Sequence, residues 1–209
     1  MKRMTCTNYR KLNAVIKKFL TQACDMTYTT KVLETAKLDE QGIDWFEAFC
    51  DDSMWTERTF DREIVLRKGR RCCAVNTEEY DVETVEIHYN IEELFSRGSK
   101  QFRENFVHNC PMAKGFADIT LAMLHELGHH EVAEIVDEHY ADYDREGMIK
   151  TIEEELPREL RNYAYFMLPD EDLATSWAIQ WLEESAENRK IAKQFEKEFF
   201  KLFSKTLDK

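Results

Sequence analysis

The chain has 209 residues, a hydrophobic content of 43% and a formal net charge of −12, and these values exclude several classes of protein. This hydrophobic content excludes intrinsic disorder, and the acidic excess argues against direct nucleic-acid binding, which needs a basic face. Because no apolar run reaches membrane-spanning length and no secretion signal follows Met1, we expect a cytoplasmic, globular protein without a membrane partner.

The first predicted element is an amphipathic helix over residues 9–24. Its apolar residues recur at helical spacing and are Leu12, Val15, Ile16, Phe19 and Leu20. A further helical stretch is predicted over residues 30–38, and a short buried helix over residues 43–49. Residues 1–58 are therefore predicted to form an N-terminal helical region.

Between residues 59 and 90 the hydrophobic period changes from helical to strand-like. Short runs of β-forming residues lie at positions 64–66, 72–75 and 82–89, separated by polar segments and a glycine. They predict three short strands, antiparallel in part. A helix over residues 91–106 is predicted next.

Residues 119–130 read Ile-Thr-Leu-Ala-Met-Leu-His-Glu-Leu-Gly-His-His and predict a helix packed on the core. Helical geometry places His125 and His129 one turn apart on the same side, where two imidazoles can share a metal ion. Glu126 follows directly, so its carboxylate can act as a base toward a metal-activated water. This is the H-E-x-x-H arrangement of zinc peptidases.

Most of the negative charge lies between Glu126 and Asp172, in a stretch that we expect to be partly helical and largely solvated. A strong helix is predicted from Pro169, with Asp170 as its N-cap, and a last helix over residues 188–207. One stripe of that last helix consists of Ile191, Phe195, Phe199 and Phe203. The stripe needs a cover, either the core of the same chain or a second copy in a homo-oligomer.

Two histidines leave a zinc ion underbound, so a third protein ligand is expected on a later helix. Glu171 is the first choice, because it opens an E-x-x-A-x-x-W-A pattern in which the small Ala174 permits close packing. A role for Glu171 without a metal is that its negative charge at the start of a helix interacts favourably with the helix dipole. The alternatives for the third ligand are Asp172, His139, Glu138 and Asp142.

Together the two motifs resemble those of gluzincin metallopeptidases, and most closely those of the ImmA/IrrE family. In that family a small sheet precedes an H-E-L-G-H helix, and a downstream E-x-x-A-[ND]-x-F-A helix supplies a glutamate ligand. The resemblance covers residues 64–182 in element order. It implies Zn²⁺ bound by His125, His129 and Glu171, with Glu126 as the general base.

The sequence departs from that family pattern at two points. Thr175 stands where the family favours Asn or Asp, which weakens the expected hydrogen bond to a ligand histidine. The spacer between His129 and Glu171 is long. We therefore predict that the acidic stretch is an insertion over the cleft.

These observations together predict an α+β protein. We expect a mostly helical, zincin-like domain, with a small three-stranded sheet before the H-E-x-x-H helix and helical extensions at both ends. The regions are an N-terminal part (residues 1–58), a metallopeptidase core (59–187) and a C-terminal helix (188–209) that packs on the core or a partner.

The expected function is zinc-dependent hydrolysis of a peptide bond in a peptide or protein substrate. The family resemblance implies a regulatory substrate, such as a phage or mobile-element repressor. The alternatives are a non-catalytic zincin-like interaction module with a structural or degenerate metal site, and a helical scaffold without metal. The six cysteines lack a C-x-x-C pair and are expected to be reduced, buried thiols.

Overall fold

The computed structural model describes residues 6–33, 55–69, 73–77, 83–91, 97–140 and 142–207. The short helix predicted at residues 43–49 lies outside these ranges. Within them, no helix combines the length and the apolar content that crossing a bilayer requires.

The secondary structure is mostly helical, with one small sheet, and is compatible with the predicted α+β class. The helices are α1 (Cys6–Ala23), α2 (Arg97–Asn109), α3 (Asp118–Glu131), α4 (Ala133–His139), α5 (Arg145–Glu155), α6 (Arg158–Tyr165), α7 (Pro169–Glu184) and α8 (Ala186–Leu207). The strands are β1 (Thr27–Leu33), β2 (Trp55–Lys68), β3 (Cys73–Thr77) and β4 (Glu83–Tyr89). A short 3₁₀ helix (Pro111–Gly115) connects α2 to α3.

The described strands are arranged in the order β1-β2-β4-β3. β1 pairs antiparallel with the first half of β2, and β4 pairs parallel with its second half, where Ile64 lies opposite Val85. β3 pairs antiparallel with β4. The part of the sheet next to α3 is therefore three-stranded and mixed, as the pattern between residues 59 and 90 predicted.

β1 corrects one prediction, because residues 30–33 form a strand rather than part of a helix. The segment is rich in threonine, with Tyr28 and Val32, and such β-branched and aromatic residues favour the pleated, paired conformation. Pairing along the first half of β2 supplies their backbone hydrogen bonds. The remaining residues of the predicted stretch, 34–38, lie outside the described ranges.

One hydrophobic core joins the helices and the sheet. Its largest fully buried side chains are Tyr89, Phe19, Phe106, Phe199, Leu12, Ile16, Leu20, Ile64, Ile87, Ile91 and Leu121. The aromatic stripe of α8 belongs to this core, since the Phe195 ring stacks on Phe19 of α1 at a centroid distance of 4.3 Å. The core of the same chain therefore supplies the cover that the stripe was expected to need.

The start of α7 differs from the prediction. α7 begins at Pro169 with Leu168 at the N-cap, so Asp170 is inside the first turn and does not cap the helix. The preference of proline for the first helical position explains this shift by one residue. The helix predicted over residues 91–106 is described from Arg97 to Asn109, and residues 92–96 lie outside the described ranges.

The start of α3 is capped from a distant part of the chain. Ala117 at its N-cap offers no side-chain hydrogen bond, and the carboxylate of Glu196 on α8 takes that role. Its Oε1 accepts from the Ala117 backbone N–H at 2.5 Å and from the Thr120 hydroxyl at 3.0 Å. A carboxylate at this end also suits the helix dipole.

Helices α4 to α6 contain no buried residue. Together with the described residues that connect them, between 133 and 165, they are called the arm below. The arm carries most of the predicted acidic stretch. Several of its large apolar side chains are exposed, including Leu160 (51%) and Tyr163 (68%). The arm therefore contributes little to the core.

Candidate metal centre

The close approach of α3 and α7 creates the site. Gly128 faces the backbone of Ala174, and a Cβ atom at position 128 would lie 2.5 Å from the Ala174 carbonyl oxygen. Real Cβ atoms essentially never come so close, so only glycine permits this packing. The two small residues bring the first turn of α7, which carries Glu171, next to the histidines of α3.

The structure brings His125, His129 and Glu171 together as a group that can hold a metal ion, with their ligand atoms within 4.8 Å of one another. The Nε2 atoms of His125 and His129 lie 3.1 and 3.7 Å from Oε2 of Glu171. Metal–ligand bonds of 2.0–2.2 Å in a tetrahedron separate neighbouring ligand atoms by about 3.4 Å. The spacing and the donor chemistry therefore fit a tetrahedral divalent cation.

Thr175 and an aromatic wall fix the orientation of His125. The Thr175 hydroxyl lies 3.1 Å from Nδ1 of His125, so Thr175 occupies the position that the family pattern gives to Asn or Asp and still contacts the histidine. When Nδ1–H donates there, Nε2 is left free for the metal position. The Phe102 and Phe106 rings on α2 pack edge-on, at 5.2 and 6.3 Å from the imidazole.

Glu171 and His129 favour each other's charged forms. Burial alone would raise the pKa of Glu171, but contacts with His125 and His129 outweigh burial and hold that pKa well below its usual range. Burial alone would lower the pKa of His129, yet Glu171 raises it overall. Glu171 thus favours its ionised form, and a bound cation would supply positive charge beside it.

Glu126 is buried next to the metal position, at 6% exposure. Burial raises the pKa of its carboxyl group, while the positive charge that His125 and His129 can carry acts in the opposite direction. The backbone N–H of Ala74, on β3, also favours the ionised form. A carboxylate with a raised pKa is a stronger base toward a neighbouring water molecule.

The other candidates for the third ligand lie away from this group. Asp172 is exposed and lines a surface hollow on the far side of α7, together with Ser176, Gln180 and Glu183. Three candidates on or after α4 are exposed, namely Glu138, His139 and Asp142. Among the described residues, Glu171 is the acid that reaches the two histidines.

Arg145 is a site residue that sequence reasoning missed. From the start of α5 it reaches Glu171, with Nη2 at 2.7 Å from Oε1, and Asp170, with Nε at 2.5 Å from Oδ2. The sequence contains only a weak indication of this role, namely that Arg145 is an arginine within a mostly acidic stretch. His130 was also missed: its Nε2 lies 3.3 Å from the Glu86 carbonyl oxygen and ties α3 to β4.

The four tyrosines of the arm differ in exposure and in their hydrogen bonds. Tyr140 and Tyr163 are exposed, and the Tyr143 hydroxyl donates to Asp170 at 2.6 Å. The Tyr165 hydroxyl accepts from Arg145 Nη2 at 3.0 Å and interacts with Glu171. Burial raises the pKa of Tyr165, so it stays protonated at neutral pH.

Comparison of the chain with protein-family models, with curated proteins and with solved structures finds no match. The resemblance to the ImmA/IrrE family therefore depends on the two sequence motifs.

Proposed function

We propose that the protein is a zinc-dependent peptidase of the ImmA/IrrE-like gluzincin class. One observation carries the proposal. The candidate ligand atoms are two imidazole nitrogens from α3 and a carboxylate oxygen from α7, and they lie within 4.8 Å of one another. A buried glutamate, Glu126, directly follows one of the histidines. A mostly helical chain with a small mixed sheet before the H-E-x-x-H helix agrees with a zincin-like fold.

The donor set supports zinc as the metal. Two neutral imidazoles and one carboxylate form a common catalytic zinc site, which leaves a fourth position for water or substrate. Oxygen-rich octahedral sites, which magnesium and calcium prefer, need more carboxylate or carbonyl ligands. His129 has 18% of its side chain exposed, so the open side of the site lies toward this residue.

The chemistry assigned to the residues is hydrolysis by general base catalysis. Bound Zn²⁺ supplies Lewis acidity, which lowers the pKa of a water molecule and polarises a carbonyl group. Glu126 accepts the proton of the attacking water and passes it to the leaving amide nitrogen. Thr175 keeps His125 oriented, and Tyr165 is the tyrosine best placed to donate a hydrogen bond.

The proposed substrate is a peptide segment in extended conformation. Among the described strands, β3 lies at the edge of the sheet and packs on α3. A strand at an edge can pair with an added peptide strand through backbone hydrogen bonds. A regulatory protein, such as a phage or mobile-element repressor, is proposed as the natural substrate from the family resemblance alone.

A cytoplasmic place of action is part of the proposal. Cys24 and Cys110 are free and buried, as expected, while Cys73 is free but exposed. Free thiols are typical of proteins from reducing compartments.

The function is tested by incubating the zinc-loaded protein with a library of proteome-derived peptides and identifying new termini by mass spectrometry. We expect cleavage by the parent protein and a loss of about 100-fold or more in Glu126→Gln, with zinc retained. Glu138→Gln removes the same charge from an exposed position of the arm and should cleave normally. Equal cleavage by Glu126→Gln and the parent protein would contradict the role of Glu126.

The burial of the centre gives some support to a second function, a non-catalytic zincin-like module. Both Glu126 and Glu171 have less than a tenth of their surface exposed. In such a module the metal site would be closed by four protein ligands. X-ray absorption spectroscopy of the zinc-loaded protein distinguishes the two functions, because the peptidase requires three protein ligands and a water molecule.

A further inference from the structure

Arg145 contacts the candidate metal ligand on the side opposite the histidines. Its Nη2 lies 2.7 Å from Oε1 of Glu171, whereas Oε2 of the same carboxylate lies 3.1 Å from His125 Nε2. The two oxygens therefore have different partners. A carboxylate oxygen held in this way is a poorer metal ligand, so the other oxygen, Oε2, is the one that is offered to a metal.

Asp170 balances the charge of the guanidinium. Arg145 Nε lies 2.5 Å from Oδ2 of Asp170, and Tyr143 donates to Oδ1 of the same carboxylate at 2.6 Å. The pair Arg145–Asp170 is close to neutral as a unit. The negative charge of Glu171 consequently remains available to a cation, although an arginine touches this glutamate.

We propose that Arg145 is a positioning residue, which fixes Glu171 so that it binds the metal through Oε2 alone. The inference rests on the proposed metal site and extends it, because a residue of the arm then determines how the third ligand coordinates. The helices of the arm contribute no buried residue to the core, so the arm acts on the site through polar side chains, of which Arg145 holds Oε1 of Glu171.

The shape of the side chain explains why position 145 needs an arginine. The planar guanidinium presents several N–H groups in a rigid fork, so it reaches the carboxylates of Asp170 and Glu171 simultaneously. The Tyr165 ring adds to this constraint, with its centroid 5.7 Å from the guanidinium carbon and its hydroxyl 3.0 Å from Nη2. A lysine carries the same charge but cannot reproduce the fork.

A role of Arg145 as a competing cation predicts the opposite effect on metal binding. If Arg145 merely occupied Glu171 as a competing cation, its removal would free the carboxylate and tighten metal binding. If Arg145 positions the carboxylate, its removal lets Glu171 rotate and weakens binding. Changes to residues that orient metal ligands typically weaken metal affinity by about 10–100-fold.

The experiment measures Zn²⁺ affinity by competition with a chromogenic chelator, and the visible absorption spectrum of the Co²⁺-loaded protein. We expect Arg145→Gln to bind Zn²⁺ about 10–100-fold more weakly and to show a weaker Co²⁺ absorption band, because a second carboxylate oxygen raises the coordination number. Arg145→Lys should be intermediate. Asp170→Asn, which leaves the guanidinium charge unbalanced beside the ligand, should also weaken binding.

Lys150→Gln is the matched control, since it removes one positive charge from an exposed position on the same helix. It should leave both the affinity and the spectrum unchanged. Circular dichroism in the presence of chelator verifies that each variant is folded. If Arg145→Gln does not fold, Arg145→Lys provides the test.

Unchanged or tighter Zn²⁺ binding by folded Arg145→Gln, with the parent spectrum, would overturn the positioning role and leave the proposed peptidase intact. Failure of the parent protein to bind Zn²⁺ or Co²⁺ would overturn the proposed function, and this inference with it.

Discussion

Helix α3, which carries the candidate metal ligands His125 and His129, and the arm are neighbours in sequence but are held in place by different forces. Eleven of the fourteen residues of α3 are buried, so apolar packing determines its position. The helices of the arm bury none of their residues, and the arm reaches the site through the polar contacts of Tyr143, Arg145 and Tyr165. The two candidate ligands on α3 therefore have a packed support, whereas the contacts of the arm with Glu171 consist of a few hydrogen bonds.

The largest effect should come from removing a core ring beside the site. Phe106 is fully buried, and Phe106→Ala should lower the free energy of unfolding by about 3–5 kcal/mol. The exposed arm residue Tyr163 is the matched control, and Tyr163→Ala should change stability by about 0.5 kcal/mol or less. Urea unfolding with chelator present measures both, so that metal binding does not contribute. Similar losses in the two variants would contradict the difference between the two regions.

An added methyl group between α3 and α7 should also lower the free energy of unfolding. Gly128→Ala forces a Cβ atom against the Ala174 backbone and should destabilise the fold by about 1–3 kcal/mol. It should also weaken metal binding, because Glu171 moves away with α7. Gly115→Ala is the control, since a Cβ there meets nothing within 4 Å. The same urea titration tests the pair, and equal midpoints would refute the close packing.

The hydrogen bond to His125 should matter for the metal more than for the fold. Thr175→Val keeps the shape of the side chain and removes the hydroxyl next to Nδ1. We expect Zn²⁺ affinity to fall by about 10-fold or more, because the histidine loses its orienting partner. Ser176→Ala removes a hydroxyl from the exposed neighbouring position and should have no effect. Chelator competition measures both variants, and an unchanged affinity in Thr175→Val would exclude this role.

The smallest effect should come from the cap of α3. Glu196→Ala removes the acceptor for Ala117 and Thr120 and should lower the free energy of unfolding by about 0.5–2 kcal/mol, the usual range for lost caps. Glu198→Ala, two residues further on, removes a surface ion pair with Lys18 and an exposed hydrogen bond from Gln194, and should cost about 1 kcal/mol or less. A larger loss in Glu198→Ala than in Glu196→Ala would show that the capping contact does not stabilise α3.

The sequence predicted the parts of the site that depend on local periodicity. The spacing of four between His125 and His129 follows from the helical repeat, and Ala174 indicated close packing of the later helix. The role of Gly128, whose missing Cβ allows that packing, agrees with the glycine in the motif. These features are encoded within a few turns of helix and need no knowledge of the whole chain.

The contacts that the sequence did not reveal join distant segments. Arg145 reaches Glu171 through the placement of the arm, and Glu196 reaches Ala117 across 79 positions; neither has a periodic pattern. β1 was missed because its conformation depends on pairing with β2. Long-range pairing overrides local propensity in such short segments, so a single sequence contains little information about it.

The cap on α3 has a consequence for the order in which the protein matures. The ribosome synthesises His125, Glu126, His129 and Glu171 before it reaches Glu196. A nascent chain that already contains these four residues still lacks the carboxylate for the first backbone groups of α3. The first turn of α3 is therefore fully capped only after α8 has emerged and docked.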